Sequence, residues 1–558
     1  MAIAFDEEKQ KQKLAALRRK EEEDSVKLAA DEAGLNFIDL IKVPINTDAL
    51  RLIKEDDSRR AKIAAFNIVG KKVDLAVMSP TSADVKTIIA ELTKAGFLTT
   101  VFVTTIESLE KAWDHYKELS YSTESKAGAL EVSSEEIATL LGKVKSIKDI
   151  GKLIEGILTQ KQSYRISRLI EIIIAGALAN KASDIHIEPE ESYARLRYRL
   201  DGILNDVLRF DRETFALVLA RIKLLSGLKL NIKTEAQDGR FSVKINGADI
   251  EIRTSLLPGA YSESVVMRIL DPKSITVPME ELGIQPKLFA ILEHEIAKPH
   301  GMILTTGPTG SGKTTTLYAF LRRVHTPDIK IITIEDPVEY HLPGIVQTQT
   351  DAEKGYTFLE GLRSALRQDP DIIMVGEIRD NETAGIAIDS ALTGHLVFST
   401  LHTNTAAGTF PRLIDLGVNP KTMSSAINVS MAQRLVRKLC PACRKESPID
   451  AEDKKIIDET VAQIKDQSMI SQTEHMWVAV GCDQCNGTGY KGRVGIFEAV
   501  LMDDAIEAVV REKPSEREIQ KAAAPQGIPS MKEDGILKVL SGITTLDELS
   551  RVVDLEKE

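Results

Sequence analysis

A strand, a glycine-rich loop and a helix follow one another over residues 302–321, and this order constrains the fold more than any other feature of the chain. The apolar run MILTT leads into GPTGSGKTTT, and a helical pattern follows. Glycines let the N–H groups of such a loop wrap phosphate oxygens at a helix N-terminus. Lys313 can reach the β- and γ-phosphates, and the Thr314 hydroxyl can bind Mg²⁺. The predicted nucleotide-binding residues are Gly307, Pro308, Thr309, Gly310, Ser311, Gly312, Lys313, Thr314 and Thr315.

Two further apolar strands end in acidic residues. Glu335 ends the strand in KIITIEDPVEY, and Glu377 follows the strand in DPDIIMVGEIRD. The carboxyl ends of parallel strands face the ligand crevice, so both acids would point at the nucleotide. The position that normally carries Asp is Gly376. We therefore expect magnesium to rest mainly on Thr314 and water, and Glu377 to position or deprotonate the attacking water. Glu335 is the second candidate, as a magnesium ligand or alternative base.

Histidines give one candidate and one excluded motif. His402 lies just past the strand in TGHLVFSTLHTN, where it could contact a γ-phosphate or a neighbouring subunit, although a capping or core role stays open. The segment HEIAKPH is not a zinc-protease motif. Such a motif needs a second His four residues after His294, and Lys298 stands there.

The four cysteines form two CxxC pairs separated by 38 residues. Four thiolates suit a tetrahedral structural Zn²⁺ with no open position. The competing interpretation is a thiol-exchange pair in Cys440-Pro-Ala-Cys443. A zinc knuckle would stabilise an inserted subdomain and would take no part in catalysis. The predicted zinc ligands are Cys440, Cys443, Cys482 and Cys485.

Length and composition limit the remaining possibilities. A chain of 558 residues predicts three to four domains. The net charge of −11 argues against nucleic acid as the main partner. The longest apolar stretch, residues 172–179, is too short to cross a bilayer. The start, MAIAFDEEKQ, turns acidic where a secretory signal would be basic and then apolar, so we expect a cytoplasmic protein.

Composition and periodicity predict an α/β multidomain protein. Alternating patterns in the region before residue 272 predict strands, and in ARLRYRLDG they place Arg195, Arg197 and Arg199 on one strand face. The predicted parts are an N-terminal α/β module with a leading charged helix at 1–125, a linker with helices at 126–165, a mixed domain at 166–272, and a nucleotide-binding domain at 279–558. The last includes the zinc subdomain at 436–498 and a helical part at 499–558.

Six motifs occur in an order that resembles a known family. They are GPTGSGKTTT, IEDPVEY, DPDIIMVGEIRD, TGHLVFSTLHTN, AQRLVRKLCPAC and GCDQCNGTGYKGRVGIFE. The chain resembles, over nearly its whole length, the hexameric secretion-superfamily ATPases of type IV pilus assembly and type II secretion, the PilB/GspE group. The resemblance implies a RecA-like ATPase core with an upstream PAS-like domain that donates arginines to phosphates in the cleft. The matching residues are Arg240, Arg253 and Arg268, with Arg195, Arg197 and Arg199 less certain.

The resemblance also implies cofactors, partners and a location. It implies Mg·ATP as substrate, structural zinc, a homohexamer, an inner-membrane platform protein, and indirect action on pilin or pseudopilin subunits. It places the protein in the cytoplasm, peripherally on the inner face of the cytoplasmic membrane, with no direct nucleic-acid contact. Segment 257–264, LPGAYSES, departs from the usual wording of the family, which lessens the expectation of phosphate contacts from that loop.

Several alternatives stay open at this point. Retraction motors of the superfamily lack both the N-terminal module and the tetracysteine insertion, so their presence points to assembly. The motifs do not distinguish pilus assembly, type II secretion and competence-filament assembly. The repeated RLG-like motifs by which some relatives bind cyclic di-GMP are not found in the sequence. A DNA-translocating or competence-related P-loop ATPase and a non-catalytic nucleotide-binding scaffold are the competing functions.

Overall fold

A computed structural model describes most of the chain, which divides into two compact units. Unit 1 comprises Met1–Glu136, Lys152–Ile173 and Ala216–Ile222, and unit 2 comprises Ile137–Gly151, Ile174–Phe215 and Lys223–Glu558. The described residues are 24–28, 30–31, 34–41, 43, 45–69, 71–118, 123–125, 129–131, 144, 146–158, 165–245, 248–271, 277–512 and 515–556. Most of the predicted leading helix and of the predicted 126–165 linker lies outside them.

Unit 1 contains a four-stranded sheet with helices beside it, as predicted for the N-terminal α/β module. The strands are β1 (Asn36–Phe37), β2 (Ile63–Val69), β3 (Lys72–Val77) and β4 (Leu98–Val103), in the order β1-β4-β3-β2. The helices are α1 (Thr47–Leu50), α2 (Glu55–Ala61), α3 (Ala83–Lys94) and α4 (Ile106–Asp114), and a hairpin follows as β5 (Thr123–Ser125) and β6 (Ala129–Glu131). Helix α3 buries Val85, Ile88 and Leu92 at helical spacing. Parallel pairing of β3 with β4 explains the intervening helix.

The upstream part of unit 2 contains six antiparallel strands in the order β10-β11-β12-β7-β8-β9. Alternation along β8 is confirmed, because Leu196 and Tyr198 are fully buried whereas the three arginines between and beside them are partly exposed. One face of the sheet is therefore core and the other is charged. The strands are β7 (Asp184–Pro189), β8 (Tyr193–Leu200), β9 (Ile203–Asp211), β10 (Gln237–Ile245), β11 (Ala248–Pro258) and β12 (Glu263–Leu270). The helices α5 (Ile147–Leu158), α6 (Arg165–Ala179) and α7 (Arg212–Leu225) each contribute residues to both units.

A seven-stranded sheet in the order β15-β14-β16-β17-β13-β18-β21 forms the centre of the downstream part. All neighbouring pairs are parallel except β18 with β21. The strands are β13 (Gly301–Thr306), β14 (Ile331–Glu335), β15 (Val346–Gln349), β16 (Ile372–Val375), β17 (Leu396–Leu401), β18 (Ile427–Leu439) and β21 (Tyr490–Leu501). Strands β13, β14, β16 and β17 are buried at every position, because helices cover both faces of a parallel sheet.

Helices alternate with these strands, which is the doubly wound arrangement that the sequence predicts. They are α8 (Pro286–Ile296), α9 (Lys313–Val324), α10 (Phe358–Ala365), α11 (Asn381–Leu392), α12 (Thr409–Asp415), α13 (Pro420–Ala426), α14 (Ala451–Gln463), α15 (Asp504–Arg511), α16 (Glu516–Ala523), α17 (Met531–Leu540) and α18 (Leu546–Ser550). A two-stranded sheet, β19 (Lys445–Pro448) with β20 (His475–Val478), lies between the two cysteine pairs in sequence. Within the described residues, no helix is both long and apolar enough to pass through a bilayer.

A buried ion pair lies within α17, and its carboxylate also accepts a hydrogen bond from β21. Lys538 Nζ lies 2.5 Å from Asp534 Oδ2, and both side chains are almost completely buried. The Phe497 N–H donates to Asp534 Oδ2 at 2.8 Å, and Gln285 Nε2 donates to Asp534 Oδ1 at 2.7 Å. Burial lowers the pKa of Lys538, whereas the Asp534 charge acts in the opposite direction. Asp534 therefore holds three donors, whereas the Lys538 ammonium is neutralised by one carboxylate.

We expect Asp534→Ala to destabilise the downstream domain by about 3 kcal/mol, since removing one partner of a buried pair leaves a buried unpaired charge. Lys538→Met should cost less, because Asp534 keeps two N–H donors. Trp477 packs near Gly542, just after α17, and becomes the only tryptophan in a Trp113→Phe background. Thermal melts followed by Trp477 fluorescence in that background measure both variants. An equal or larger loss for Lys538→Met would contradict this assignment.

Candidate functional site

The predicted phosphate loop lies between β13 and α9. Gly307, Gly310 and Gly312 have positive φ angles of 142°, 79° and 92°, which residues with a Cβ rarely adopt. Helix α9 begins at Lys313, directly after Gly312. Lys313 Nζ donates to the carbonyl oxygens of Gly307 at 2.8 Å and Pro308 at 3.2 Å. Burial lowers the pKa of Lys313, and the nearby Glu377 charge opposes that shift. The loop therefore brings a partly buried ammonium to a helix N-terminus.

Glu377 is held between two cationic or protonatable side chains. Its Oε2 lies 3.0 Å from His402 Nε2, and its Oε1 forms an ion pair with Arg379. Only 15% of the Glu377 side chain is exposed, whereas His402 and Arg379 are exposed. The structure therefore brings together two of the predicted residues, Glu377 and His402, and adds Arg379, which the sequence analysis did not single out.

Gly376 occupies the position where Asp is usual, and packing limits the side chain that fits there. A Cβ at Gly376 would lie 3.1 Å from the Ile334 carbonyl oxygen and 3.3 Å from the Phe358 ring. The Gly376 N–H donates to Ile334 O at 2.8 Å, and Thr400 Oγ1 donates to Gly376 O at 2.7 Å. The backbone here is thus tied to both neighbouring strands, and the next residue, Glu377, carries the first carboxylate beyond β16.

Glu335 is buried, and both of its carboxylate oxygens accept hydrogen bonds. Tyr318 OH donates to Oε2, while Thr333 Oγ1 and Gln347 Nε2 donate to Oε1 at 2.5 Å and 3.1 Å. Burial raises the pKa of Glu335, and these hydrogen bonds act to lower it. The two predicted acids therefore have different surroundings. Glu335 ties β14 to α9 and β15, whereas Glu377 faces His402 and Arg379.

The segment after His402 is fixed at several points. The Thr403 N–H donates to Thr306 Oγ1 at 2.7 Å, at the carboxyl end of β13. The Ala406 N–H donates to Glu498 Oε1 at 2.7 Å, and Thr405 Oγ1 donates to Glu516 Oε1 at 2.6 Å. Contacts from β21 and α16 thus hold the segment that carries His402. The sequence motif around His402 gave no signal for these long-range contacts.

Arginines form one row across the charged face of the upstream sheet. Arg240 is paired with Arg253 across β10 and β11, and Arg253 with Arg268 across β11 and β12. Like charges directly opposite are unfavourable unless anions separate them. Asp184 supplies one anion, 3.0 Å from Arg268 and 3.4 Å from Arg199. The Arg240 and Arg268 side chains stay 76% and 62% exposed.

The remaining predicted arginines also have partners. Arg253 donates to Val338 O at 2.9 Å and lies 3.4 Å from Glu339, both directly after β14. Arg195 pairs with Glu190 at 3.1 Å, and Arg197 pairs with Glu188. In the loop that departs from the family wording, the buried Glu263 pairs with Lys223 at 2.7 Å. Arg240 and Arg268 are therefore the most accessible of the three matched arginines, and Arg253 is the one that contacts the ATPase core.

The four cysteines form one cluster, and no disulfide links them. Their Sγ atoms all lie within 4.8 Å of one another. The Sγ–Sγ distances are 3.9 Å for Cys440–Cys482 and 3.8 Å for both Cys443–Cys485 and Cys482–Cys485. A tetrahedral zinc with Zn–S bonds of about 2.3 Å requires S···S distances of about 3.8 Å. Burial acts to raise the pKa of Cys485, but N–H donors from Cys482 and Gly489, together with the Cys482 and Cys443 side chains, lower that pKa to about 7, whereas burial raises the pKa of Cys440 and Cys443. The donor set therefore fits zinc.

Comparisons of sequence and fold relate the chain to known proteins. A family model described as "Type II/IV secretion system protein" matches residues 159–551. The chain belongs to this family. Type II secretion system protein E of Pseudomonas aeruginosa is 42% identical over 448 residues, covering 79% of this chain and 86% of that protein. Type II secretion system protein E of Aeromonas hydrophila is 44% identical over 398 residues, covering 71% of this chain and 77% of that protein. The solved structure of the ATPase DotB of Yersinia pseudotuberculosis has a TM-score of 0.50 at 19% identity, covering 70% of this chain and 94% of that one.

These findings confirm the predicted family, the α/β multidomain fold and the ATPase activity. Because the chain belongs to a family of secretion ATPases, the competing interpretation of this chain as a non-catalytic nucleotide-binding scaffold is not supported. The roles of individual site residues stay predictions. Four residues that contact the site were not recognised from the sequence: Arg379, Tyr318, Gln347 and Gln433. Arg379 lies in the motif DPDIIMVGEIRD and Gln433 lies in AQRLVRKLCPAC, but neither motif assigns its residue a partner.

The cysteine geometry predicts one zinc per chain in the purified secretion ATPase, measurable by inductively coupled plasma mass spectrometry. Cys482→Ser should lower the zinc content well below one, because a hydroxyl is a poor ligand in a thiolate site. Lys491→Ala, near the cluster in sequence but without a ligand atom, is the control. Zinc-free wild-type protein with a Cys440–Cys443 disulfide would instead support the thiol-exchange interpretation.

Proposed function

We propose that this chain is the Mg·ATP-hydrolysing hexameric motor of a type II secretion or type IV pilus machine. The observation that carries the proposal is the meeting of the phosphate loop, Glu377 and His402 at the carboxyl ends of β13, β16 and β17. The names of the relatives, Type II secretion system protein E, favour secretion. The motor acts from the cytoplasm on an inner-membrane platform protein, which adds pilin or pseudopilin subunits to a filament.

The phosphate loop binds the triphosphate through its N–H groups and Lys313. The Lys313 ammonium donates hydrogen bonds to the carbonyl oxygens of Gly307 and Pro308. When nucleotide binds, hydrogen bonds to phosphate oxygens replace these two. The exposed Thr314 hydroxyl is the main protein ligand for magnesium. When bound, Mg²⁺ neutralises developing charge on the phosphates. The other residues of the loop, from Gly307 to Thr315, shape the backbone cradle.

Glu377 positions and deprotonates the attacking water. Its two carboxylate oxygens contact His402 and Arg379, which fix the position of the carboxylate. His402 orients Glu377 and is placed to respond to a γ-phosphate. Glu335 is the second candidate for the general base and for a magnesium ligand, and its oxygens already accept three hydrogen bonds.

The arginines supply positive charge around the phosphates within the ring. Arg240 and Arg268 have exposed guanidinium groups, and Arg253 sits against the segment after Glu335. Positive charge stabilises the transition state of phosphoryl transfer. ATP binding and release then open and close the upstream domain against the ATPase domain, and this movement is the output of the motor. Zinc on the four cysteines holds the knuckle and takes part in no step.

Glu377→Gln should retain ATP binding and lose hydrolysis by about 100-fold or more, because general base catalysis contributes that order of rate. The variant incubated with radiolabelled ATP and separated from free nucleotide should carry ATP and not ADP. Glu360→Gln, an exposed acid that pairs with Arg363, is the matched control. Rapid hydrolysis by Glu377→Gln together with loss of activity in Glu335→Gln would transfer the base role to Glu335.

Cells that carry Lys313→Ala should lose the filament or the exported proteins, since the loop can no longer neutralise the triphosphate. Mass spectrometry of surface-sheared filaments and of culture supernatant identifies the machine. We expect exported enzymes to stay inside the cell while pili persist, which indicates secretion. Loss of pilins with normal export indicates pilus assembly. Lys354→Ala, an exposed lysine outside the loop, is the control, and normal filaments and export in Lys313→Ala would contradict the proposal.

A further inference from the structure

Gln433 is a buried amide directly behind the phosphate loop. It lies on β18, immediately after Ala432, which is the last residue of that strand in register with β13. The partner of Ala432 is Thr306, and the loop begins at the next residue, Gly307. Only 1% of Gln433 is exposed. The strand pairing therefore carries Gln433 to the point where the loop leaves the sheet.

Three contacts connect Gln433 to both ends of the loop. Its Nε2 donates to Ser311 O at 2.7 Å. A Cβ at Gly307 would lie 2.5 Å from the Gln433 backbone oxygen, and a Cβ at Gly312 would lie 3.0 Å from Gln433 Nε2. A side chain at the first or the last glycine of the loop would therefore come too close to Gln433. The backbone of Gln433 packs against Gly307, and its side chain packs against Gly312.

The hydrogen bond to Ser311 has a direct consequence for phosphate binding. A loop that binds anions needs its N–H groups directed inward and its carbonyl groups directed outward. A buried carbonyl without a donor costs about 1–3 kcal/mol, so an outward carbonyl at Ser311 needs a partner there. Gln433 Nε2 is that partner. Without it, the Ser311 carbonyl is free to turn, and a carbonyl oxygen facing the phosphates repels them.

The oxygen of the same amide, Gln433 Oε1, indicates that the site uses the N–H donor of this side chain. Gln433 Oε1 is buried and has no hydrogen-bond partner within the described part of the chain. A buried polar atom without a partner lowers stability, and a methionine of similar length would fill the space without that cost. A glutamine here is therefore favoured by its N–H donor and not by packing.

We propose that Gln433 is a positioning residue for ATP binding, which holds the Ser311 carbonyl outward so that the loop keeps its phosphate-binding shape. Gln433 does not touch the nucleotide and acts through the loop backbone. The inference rests on the proposed nucleotide site at Gly307–Thr315.

The test compares Gln433→Met with Gln526→Met in the full-length protein. Gln526 is also a glutamine whose amide bonds to backbone, at Leu501, and it lies on the C-terminal part away from the loop. We expect Gln433→Met to raise the Kd for ATP and ADP and the KM for ATP about tenfold, with kcat within about threefold. Its thermal midpoint should fall no more than that of Gln526→Met. Isothermal titration calorimetry gives the Kd values and steady-state hydrolysis gives KM and kcat.

Gln433→Glu separates the donor from the size of the side chain. It keeps the shape but replaces the donor with an acceptor, so nucleotide affinity should fall below that of Gln433→Met. Equal affinities for wild type, Gln433→Met and Gln526→Met would overturn the inference, as would a fall in kcat with unchanged KM. Lys313→Ala tests the nucleotide site itself. Loss of binding in Lys313→Ala with normal binding in Gln433→Met rejects only the role of Gln433, whereas normal binding in Lys313→Ala rejects the proposed site.

Discussion

The parallel pairing of β13 with β17 and β18 is the constraint on which the site depends. Thr306 at the end of β13 is in register with Leu401 and Ala432, so the phosphate loop, the His402 segment and Gln433 leave the sheet at the same edge. The His402 segment is hydrogen-bonded to the end of β13, because the Thr403 N–H donates to Thr306 Oγ1. Gln433 is hydrogen-bonded to the phosphate loop, because its Nε2 donates to Ser311 O. A shift of one residue in this register would separate them, because successive side chains in a strand point to opposite faces.

The two acids of the site, Glu335 and Glu377, have different electrostatic surroundings. Glu335 is surrounded by hydroxyl and amide donors, and burial raises its pKa. Glu377 contacts the exposed side chains of His402 and Arg379. The same division applies to the arginines, because Arg253 is bound to the segment after β14 whereas Arg240 and Arg268 are exposed. Glu335, whose oxygens accept three hydrogen bonds, fixes strands, whereas Glu377 keeps 15% of its side chain exposed beside two exposed partners. The proposed roles follow this division.

The segment with the four cysteines and the C-terminal helices are joined to the same sheet. Strand β21 pairs with β18, follows the cysteine cluster, and carries Glu498, which accepts the Ala406 N–H. Asp534 on α17 accepts the Phe497 N–H from the same strand. These contacts link the His402 segment to elements more than 90 residues away in sequence. The segment that carries His402 is therefore connected by hydrogen bonds to the C-terminal part of the chain.

The sequence by itself determined the features that depend on local order and residue chemistry. The glycine loop between strand and helix, the acids that end two strands, the alternating arginines and the paired cysteines were all predictable, because each is a short pattern with one physical meaning. Only the tertiary structure decided which acid is buried, that Gly376 is packed against Ile334, that three arginines form one row, and that Gln433 supports the loop. Those properties depend on strand register and burial, which join residues far apart in the chain, and no local pattern contains that information.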